Sequence, residues 1–210
     1  MKGDENMHLY LVRHAESCQN ADLTGDWHPD DAPLTGKGKR QAALLAKRED
    51  LQAVDTIYAS TLLRAAQTAF PLAERLNKPI TLLDDAIERD TTIFGTDREA
   101  MLKEVPCAVW REWTPRAVCA AETPDMLRQR AKRLIDWIVQ RSGEDESILL
   151  VTHCAFFGYP LRYALHLPEE EPFAWKVDNA AVTHIELRPG IIPLLHCANE
   201  RSHLFTEGLW

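Results

Sequence analysis

Residues 9–20, LYLVRHAESCQN, put Arg13 and His14 at the end of an apolar run, where a strand would ordinarily close in Gly, Pro, Asn or Asp. A guanidinium grips anionic oxygens with paired N–H donors, and a neutral imidazole is a nucleophile able to attack phosphorus. Two further runs end in the same kind of residue. YAS at 58–60 leads into TLLR and Arg64, and SILLVTH at 147–153 finishes on His153. Two arginines and two histidines delivered this way suit the holding and attacking of a phosphoryl group better than they suit a core.

The elements needed to bring them together can be read from the same sequence. Residues 8–13, 53–60, 78–83 and 147–153 read as strands. LTGKGKRQAALLAKRED at 34–50 reads as a helix, with Thr35 as N-cap and Ala42, Ala43, Leu44, Leu45 and Ala46 as its apolar face. A second helix spans 61–77, where Pro71 implies a kink or break. Thr123 and Pro124 are a cap and first-turn pair opening a helix over 123–141, and another helix follows His153 to about His166. Residues 180–198 read as a hairpin turning at Pro189-Gly190. Residues 84–121, charged and then rich in Pro and Trp, read as an irregular, lid-like insertion. Strands alternating with helices predict an α/β three-layer sandwich: a largely parallel central sheet, helices on both faces and a small lid insertion, as one domain over 1–210. Such sheets build sites outside the C-terminal ends of their strands. The ends converging there carry Arg13 and His14, Ser60 and Arg64, and His153.

Composition limits the partners. The chain is 45% hydrophobic and 27% charged with a net charge of −8, ordinary for a globular protein and contrary to the basic footprint of a nucleic-acid binder. An anionic substrate would therefore need a compact basic island. The charged opening, MKGDENMHLYLV, argues against a signal peptide, and the uncharged stretch 147–161 is shorter than the ~20 residues that span a bilayer, so a soluble cytoplasmic protein without a membrane partner is expected. The five cysteines, Cys18, Cys107, Cys119, Cys154 and Cys197, contain no C-x-x-C pair and read as reduced thiols. Cys18 and Cys154 flank the reactive segments, where oxidation would affect activity. His8, His28, His166, His184, His196 and His203 show no metal-ligand spacing, so no metal site or cofactor is expected; His28 follows the reactive histidine closely enough to face the site.

LVRHAES at 11–17, Asn20, LTGKGKRQA at 34–42, YASTLLRAAQTA at 58–69, AIERD at 86–90 and LLVTHCAFFG at 149–158 occur in an order that resembles the histidine phosphatase superfamily, the phosphoglycerate mutase-like family. DNAAVTHIEL at 178–187 and NERSHL at 199–204 look like its closing segments. The resemblance implies that His14 is a nucleophile forming a phosphohistidine. Arg13, Arg64 and His153 would grip the phosphoryl oxygens, Asn20 would add a neutral donor or simply form a turn, and Glu88 would protonate the leaving oxygen. Asp90 is the alternative acid. Glu16 and Ser17 belong to the motif or merely hold its loop. Trp110 and Trp113 either line the pocket or lie buried. Phosphoryl transfer asks mainly for positioning and for stabilised equatorial oxygens, which guanidinium groups supply without a metal.

Three functions are compatible with that resemblance. The favoured one is a metal-independent phosphomonoester phosphatase acting on a phosphorylated small molecule. A cofactor-dependent phosphoglycerate mutase would have to retain a doubly phosphorylated intermediate, yet residues 86–122 carry five basic residues against seven acidic ones, and His153 is followed by Cys-Ala-Phe-Phe rather than small polar residues. A non-catalytic phospho-ligand binding module would be expected to have lost part of the Arg13, His14, Arg64 and His153 set.

Overall fold

The computed structural model describes residues 6–93, 95–111, 121–168, 175–188 and 190–210. Seven strands, β1 (Met7–Arg13), β2 (Thr56–Ser60), β3 (Ile80–Leu83), β4 (Ala108–Trp110), β5 (Ser147–Thr152), β6 (Val182–Leu187) and β7 (Leu194–Glu200), form one sheet in the order β4-β3-β2-β5-β1-β6-β7. The first five in that order run parallel, and β6 and β7 complete the sheet antiparallel. Helices α1 (Gly36–Leu45), α2 (Leu63–Leu76), α3 (Arg98–Glu104), α4 (Pro124–Val139) and α5 (Cys154–Ala164) cover it. The α/β sandwich expected from the alternating pattern is the fold observed.

Both faces are sealed by apolar side chains. Leu45 of α1, Ala65, Ala69 and Leu72 of α2 and Met101 of α3 pack over Val12, Ile57, Leu82 and Val151. On the opposite face Leu127, Leu134 and Ile138 of α4 and Phe156, Phe157 and Leu161 of α5 pack over Leu9, Leu11, Tyr58 and Leu150. β5 is buried at all six positions, and a strand covered on both sides needs an unbroken apolar run rather than alternation.

Local signals explain where the helices begin. Thr35 accepts from Gly38 N at 2.9 Å, and Thr123 accepts from Met126 N with Pro124 next to it in the first turn. α2 runs as one helix through Pro71, so of the two alternatives at this proline the break is absent. Burial of Ala66 and Ala69 before the proline and Leu72 and Ala73 after it holds both halves against the same sheet face. Within residues 84–121, α3 and β4 replace part of the expected irregular insertion, and β4 extends the sheet beside β3. Trp110 is half-buried on β4 with the Arg98 guanidinium 4.9 Å from its ring centroid, so it packs instead of lining a pocket. Trp113 and Cys119 lie outside the described residues. The hairpin is present as β6 and β7, with Gly190 at φ +71° between them. No helix among the described residues is long and apolar enough to cross a membrane.

One glycine sets the fit between α1 and the Arg13–Ser17 segment. A Cβ on Gly38 would lie 2.0 Å from the Glu16 carbonyl oxygen, a backbone atom that cannot move without its neighbours. Gly38→Ala should therefore lower stability by about 1–3 kcal/mol through overpacking, although alanine is the better helix former. Urea unfolding of the two proteins measures the difference; equal or greater stability of the alanine variant would contradict so tight a contact.

Candidate active site

Four strand ends converge on one polar cavity of about 170 Å³, whose lining includes Arg13, His14, Gln19, Asn20, Asp30, Arg64, Glu88, Asp90 and Cys154. His14 follows β1 directly, Arg64 stands in the first turn of α2 beyond β2, Glu88 follows β3, and His153 lies between β5 and α5. His14, Arg64 and Glu88 line the crevice at these strand ends, whereas His153 is fully buried and is not among the lining residues.

His14 is 2% exposed and its orientation is fixed at both ring nitrogens. Nδ1 lies 2.7 Å from the Ala15 carbonyl, which can only accept, so Nδ1 carries the hydrogen and Nε2 keeps a lone pair. Arg64 Nε donates to that Nε2 at 3.3 Å, while Arg64 Nη1 donates to the Asp30 carbonyl at 2.6 Å. Burial, then the charges of Arg64 and Arg13, hold the His14 pKa well below the ordinary value, keeping the ring neutral. His153 is fully buried with its ring centroid 5.0 Å from that of His14. Burial and Arg64 likewise hold its pKa well down, and neither of its ring nitrogens has a hydrogen-bond partner. Arg13 Nη1 donates to the Val177 carbonyl at 2.7 Å, and its buried Nε is also unpartnered. A neutral imidazole, two guanidinium groups and a second imidazole without a protein hydrogen-bond partner constitute an arrangement competent for phosphoryl transfer.

The Glu88 carboxylate sits at the N-terminus of α5, accepting from Phe156 N at 2.9 Å and Ala155 N at 3.2 Å, and from Arg89 N at 2.9 Å. Asp90 also borders the cavity, but its carboxylate is taken up by Glu122 N at 2.8 Å and Arg89 Nε at 2.9 Å. Asn20 Oδ1 accepts from Asn179 Nδ2 at 3.0 Å, which leaves its Nδ2 as the donor end. Glu16 turns away toward Thr35 and Lys37, and Ser17 exchanges hydrogen bonds with Asn20, so both hold the loop. Ser60 Oγ accepts from Leu62 N at the turn into α2 and does not line the cavity. His28, expected as a possible neighbour, instead accepts from Asp30 N and is not part of the lining. Cys154 is exposed at the cavity, whereas Cys18 is buried.

The positioning roles of several further residues emerge only from the structure. Thr68 Oγ1 accepts from Ala15 N at 2.9 Å and donates to the Arg64 carbonyl at 2.7 Å, joining the two segments that bear His14 and Arg64. Asn179 Nδ2 donates to the His14 carbonyl at 2.9 Å. Buried Arg130 forms a two-pronged pair with Glu122 at 2.8 and 2.7 Å, donates to the Ile87 carbonyl at 2.7 Å, and lies 3.8 Å from the Phe156 ring centroid. It thereby fixes the segment before Glu88 against the first turn of α5. Only their spatial neighbours reveal these roles.

A polar crevice at the C-terminal edge of a mainly parallel sheet, with a neutral histidine between arginines, defines a phosphoryl-transfer type of site. The chain belongs to the histidine phosphatase superfamily (branch 1), whose model matches residues 9–200. It is 28% identical over 221 residues to phosphoserine phosphatase 1 of Hydrogenobacter thermophilus, covering 95% of this chain and 96% of that protein. It is 27% identical over 184 residues to the 2,3-bisphosphoglycerate-dependent phosphoglycerate mutase of Thermoplasma acidophilum, covering 87% and 88%. A phosphoserine phosphatase mutant of Entamoeba histolytica in complex with phosphoserine has the same fold, with a TM-score of 0.67 and 24% identity over 94% of this chain and 99% of that one.

The lowered histidine pKa values set a pH dependence of stability. Below about pH 6.5 the unfolded chain binds a proton at each histidine, while folded His14 and His153 do not. Folding then opposes proton uptake, so stability falls as pH drops below about 6.5, by up to ~1.4 kcal/mol per pH unit for each of the two rings. His184 and His203, lowered to about 4, act in the same direction. Asp31, raised to about 6 by burial, works the other way as pH falls below that value, but it is one group against four. Urea unfolding at pH 7.5, 6.5 and 5.5 should show a declining free energy; a flat or rising profile would exclude the neutral buried pair.

Proposed function

We propose that this chain is a metal-independent phosphatase that hydrolyses small-molecule phosphomonoesters through a phosphohistidine on His14. The observation that carries this reading is the tautomer of His14: its Nδ1 hydrogen is committed to the Ala15 carbonyl, and its Nε2 lone pair lies beside Arg64. Nε2 attacks phosphorus as the ester oxygen departs. Arg13, Arg64 and His153 bind the three equatorial oxygens, with the Nδ2 end of Asn20 beside them. Glu88 gives its proton to the leaving oxygen. In the second half Glu88, now a carboxylate, takes a proton from water as the water oxygen attacks phosphorus, and inorganic phosphate leaves with His14 neutral again.

Hydrolysis is favoured over mutase chemistry by what surrounds the clamp. A mutase must keep a second anionic group close while the first phosphoryl group moves. Glu88, Asp30 and Asp90 border the cavity, Phe156 and Phe157 are fully buried in the core, and Cys154 alone of the Cys-Ala-Phe-Phe run is among the cavity-lining residues named above. The relatives include both activities, so the choice rests on this local chemistry. A purely binding role fits poorly with the full set of nucleophile, clamp and acid. The cavity of about 170 Å³ suits a phosphoryl group on a small polar carrier.

Rapid quenching with a radiolabelled phosphomonoester should leave label on His14, stable to alkali and lost in acid, and His14→Ala should abolish both label and turnover. In excess chelator, a substrate panel beginning with phosphoserine and 3-phosphoglycerate should release inorganic phosphate, with little isomerisation of 3-phosphoglycerate even when 2,3-bisphosphoglycerate is supplied. Mutase turnover ten times faster than hydrolysis, about 1.4 kcal/mol in barrier height, would overturn the hydrolase reading.

Glu88→Gln should lower kcat by about 10²–10⁴-fold for alkyl esters and much less for p-nitrophenyl phosphate, whose leaving group needs no proton. An equal loss on both substrates would assign Glu88 a positioning role, and an effect of this kind from Asp90→Asn instead would exchange the two carboxylates.

A further inference from the structure

The sequence shows no metal-ligand spacing among the histidines outside the cavity, but the fold gathers three of them. His8 on β1, His184 on β6 and His196 on β7 each offer a ring nitrogen within 4.8 Å of the others. We propose that this triad is a binding site for a late first-row divalent ion such as Zn²⁺, and that the ion clamps the antiparallel edge of the sheet to β1.

Three neighbouring strands build the site. His8 pairs in register with Glu186, and Tyr10 with His184, so His8 and His184 are diagonal neighbours on one face. His8 Nδ1 and His184 Nε2 lie 3.0 Å apart, close to the ~3.3 Å expected between two nitrogens on one tetrahedral zinc ion. The third ligand arrives through an irregularity. His184 stands opposite Cys197 and Ile185 opposite Leu195, so β7 carries an extra residue at His196. A bulge of this kind re-aims a side chain, and here the His196 ring stacks on His184 with centroids 4.4 Å apart. In a regular ladder the residue next to Cys197 would face the other side of the sheet.

The surroundings favour a cation. Glu186 Oε2 lies 2.9 Å from His196 Nε2, the carboxylate–imidazole contact that orients ligands in metal sites. Tyr10 stacks on His184 at 4.2 Å and fixes the ring from beneath. His196 is 41% exposed, giving an ion a route in. Neutral imidazoles select Zn²⁺, Cu²⁺ or Ni²⁺ over Mg²⁺ or Ca²⁺. His8 stands near the start of β1 and His14 directly follows its far end, about 20 Å away at the rise of an extended strand, so the site is separate from the cavity.

Calorimetric titration of the tag-free, chelator-stripped protein with Zn²⁺ should show one ion per chain with micromolar or tighter affinity and a raised melting temperature. Co²⁺ should give the visible absorption of a tetrahedral nitrogen site. His184→Ala should weaken binding at least 100-fold and the exposed His196→Ala at least tenfold, whereas His14→Ala should leave it intact. No saturable binding, binding unaffected by His184→Ala and His196→Ala, or binding lost with His14→Ala would each overturn the proposal.

Discussion

Burying polar groups that have no protein hydrogen-bond partner is the constraint around which this molecule is organised. Fully buried His153 has no partner for either ring nitrogen, and Arg13 Nε is in the same condition. A group left so costs about 1–3 kcal/mol, and a protein tolerates it only where the surroundings over-determine the conformation. The surroundings here are the two apolar layers on either side of the sheet, which fix β1, β2 and β5 and with them the three residues that leave their C-terminal ends. Low dielectric has a second consequence. It keeps both imidazoles neutral beside two arginines, and a neutral imidazole is the form that can attack phosphorus.

The polar groups next to the site bond mostly to backbone, which makes their positions a property of the fold. Thr68, Asn179 and Arg130 each connect a segment bearing a cavity-lining residue to an element distant in sequence. The first turn of α5 is shared: its cap residue is His153, and its free N–H groups at Ala155 and Phe156 hold Glu88. One helix terminus thus sets the spacing between His153 and Glu88. The net charge of −8 coexists with this because the site's positive charge is concentrated in Arg13, Arg64 and the helix end. The far end of β1 has a different character, with neutral imidazoles and a carboxylate replacing guanidinium groups.

Much of this was determined by sequence alone. Apolar runs ending in Arg13-His14 and His153, the caps at Thr35 and Thr123, and the alternation of strand and helix are local patterns, and local patterns decide where elements start, stop and point. Tertiary structure decided what local pattern cannot encode. β4 is three residues long and becomes a strand because β3 offers an edge, and α2 passes through Pro71 because a sheet face holds both halves. Asp90 and Glu88 are indistinguishable as letters, and only α5 and Glu122 assign them different partners. His8 and His184 lie 176 residues apart and meet through a strand register that depends on the whole hydrophobic core. His196 joins them through a bulge, which shifts a side chain to the other face by changing a single pairing.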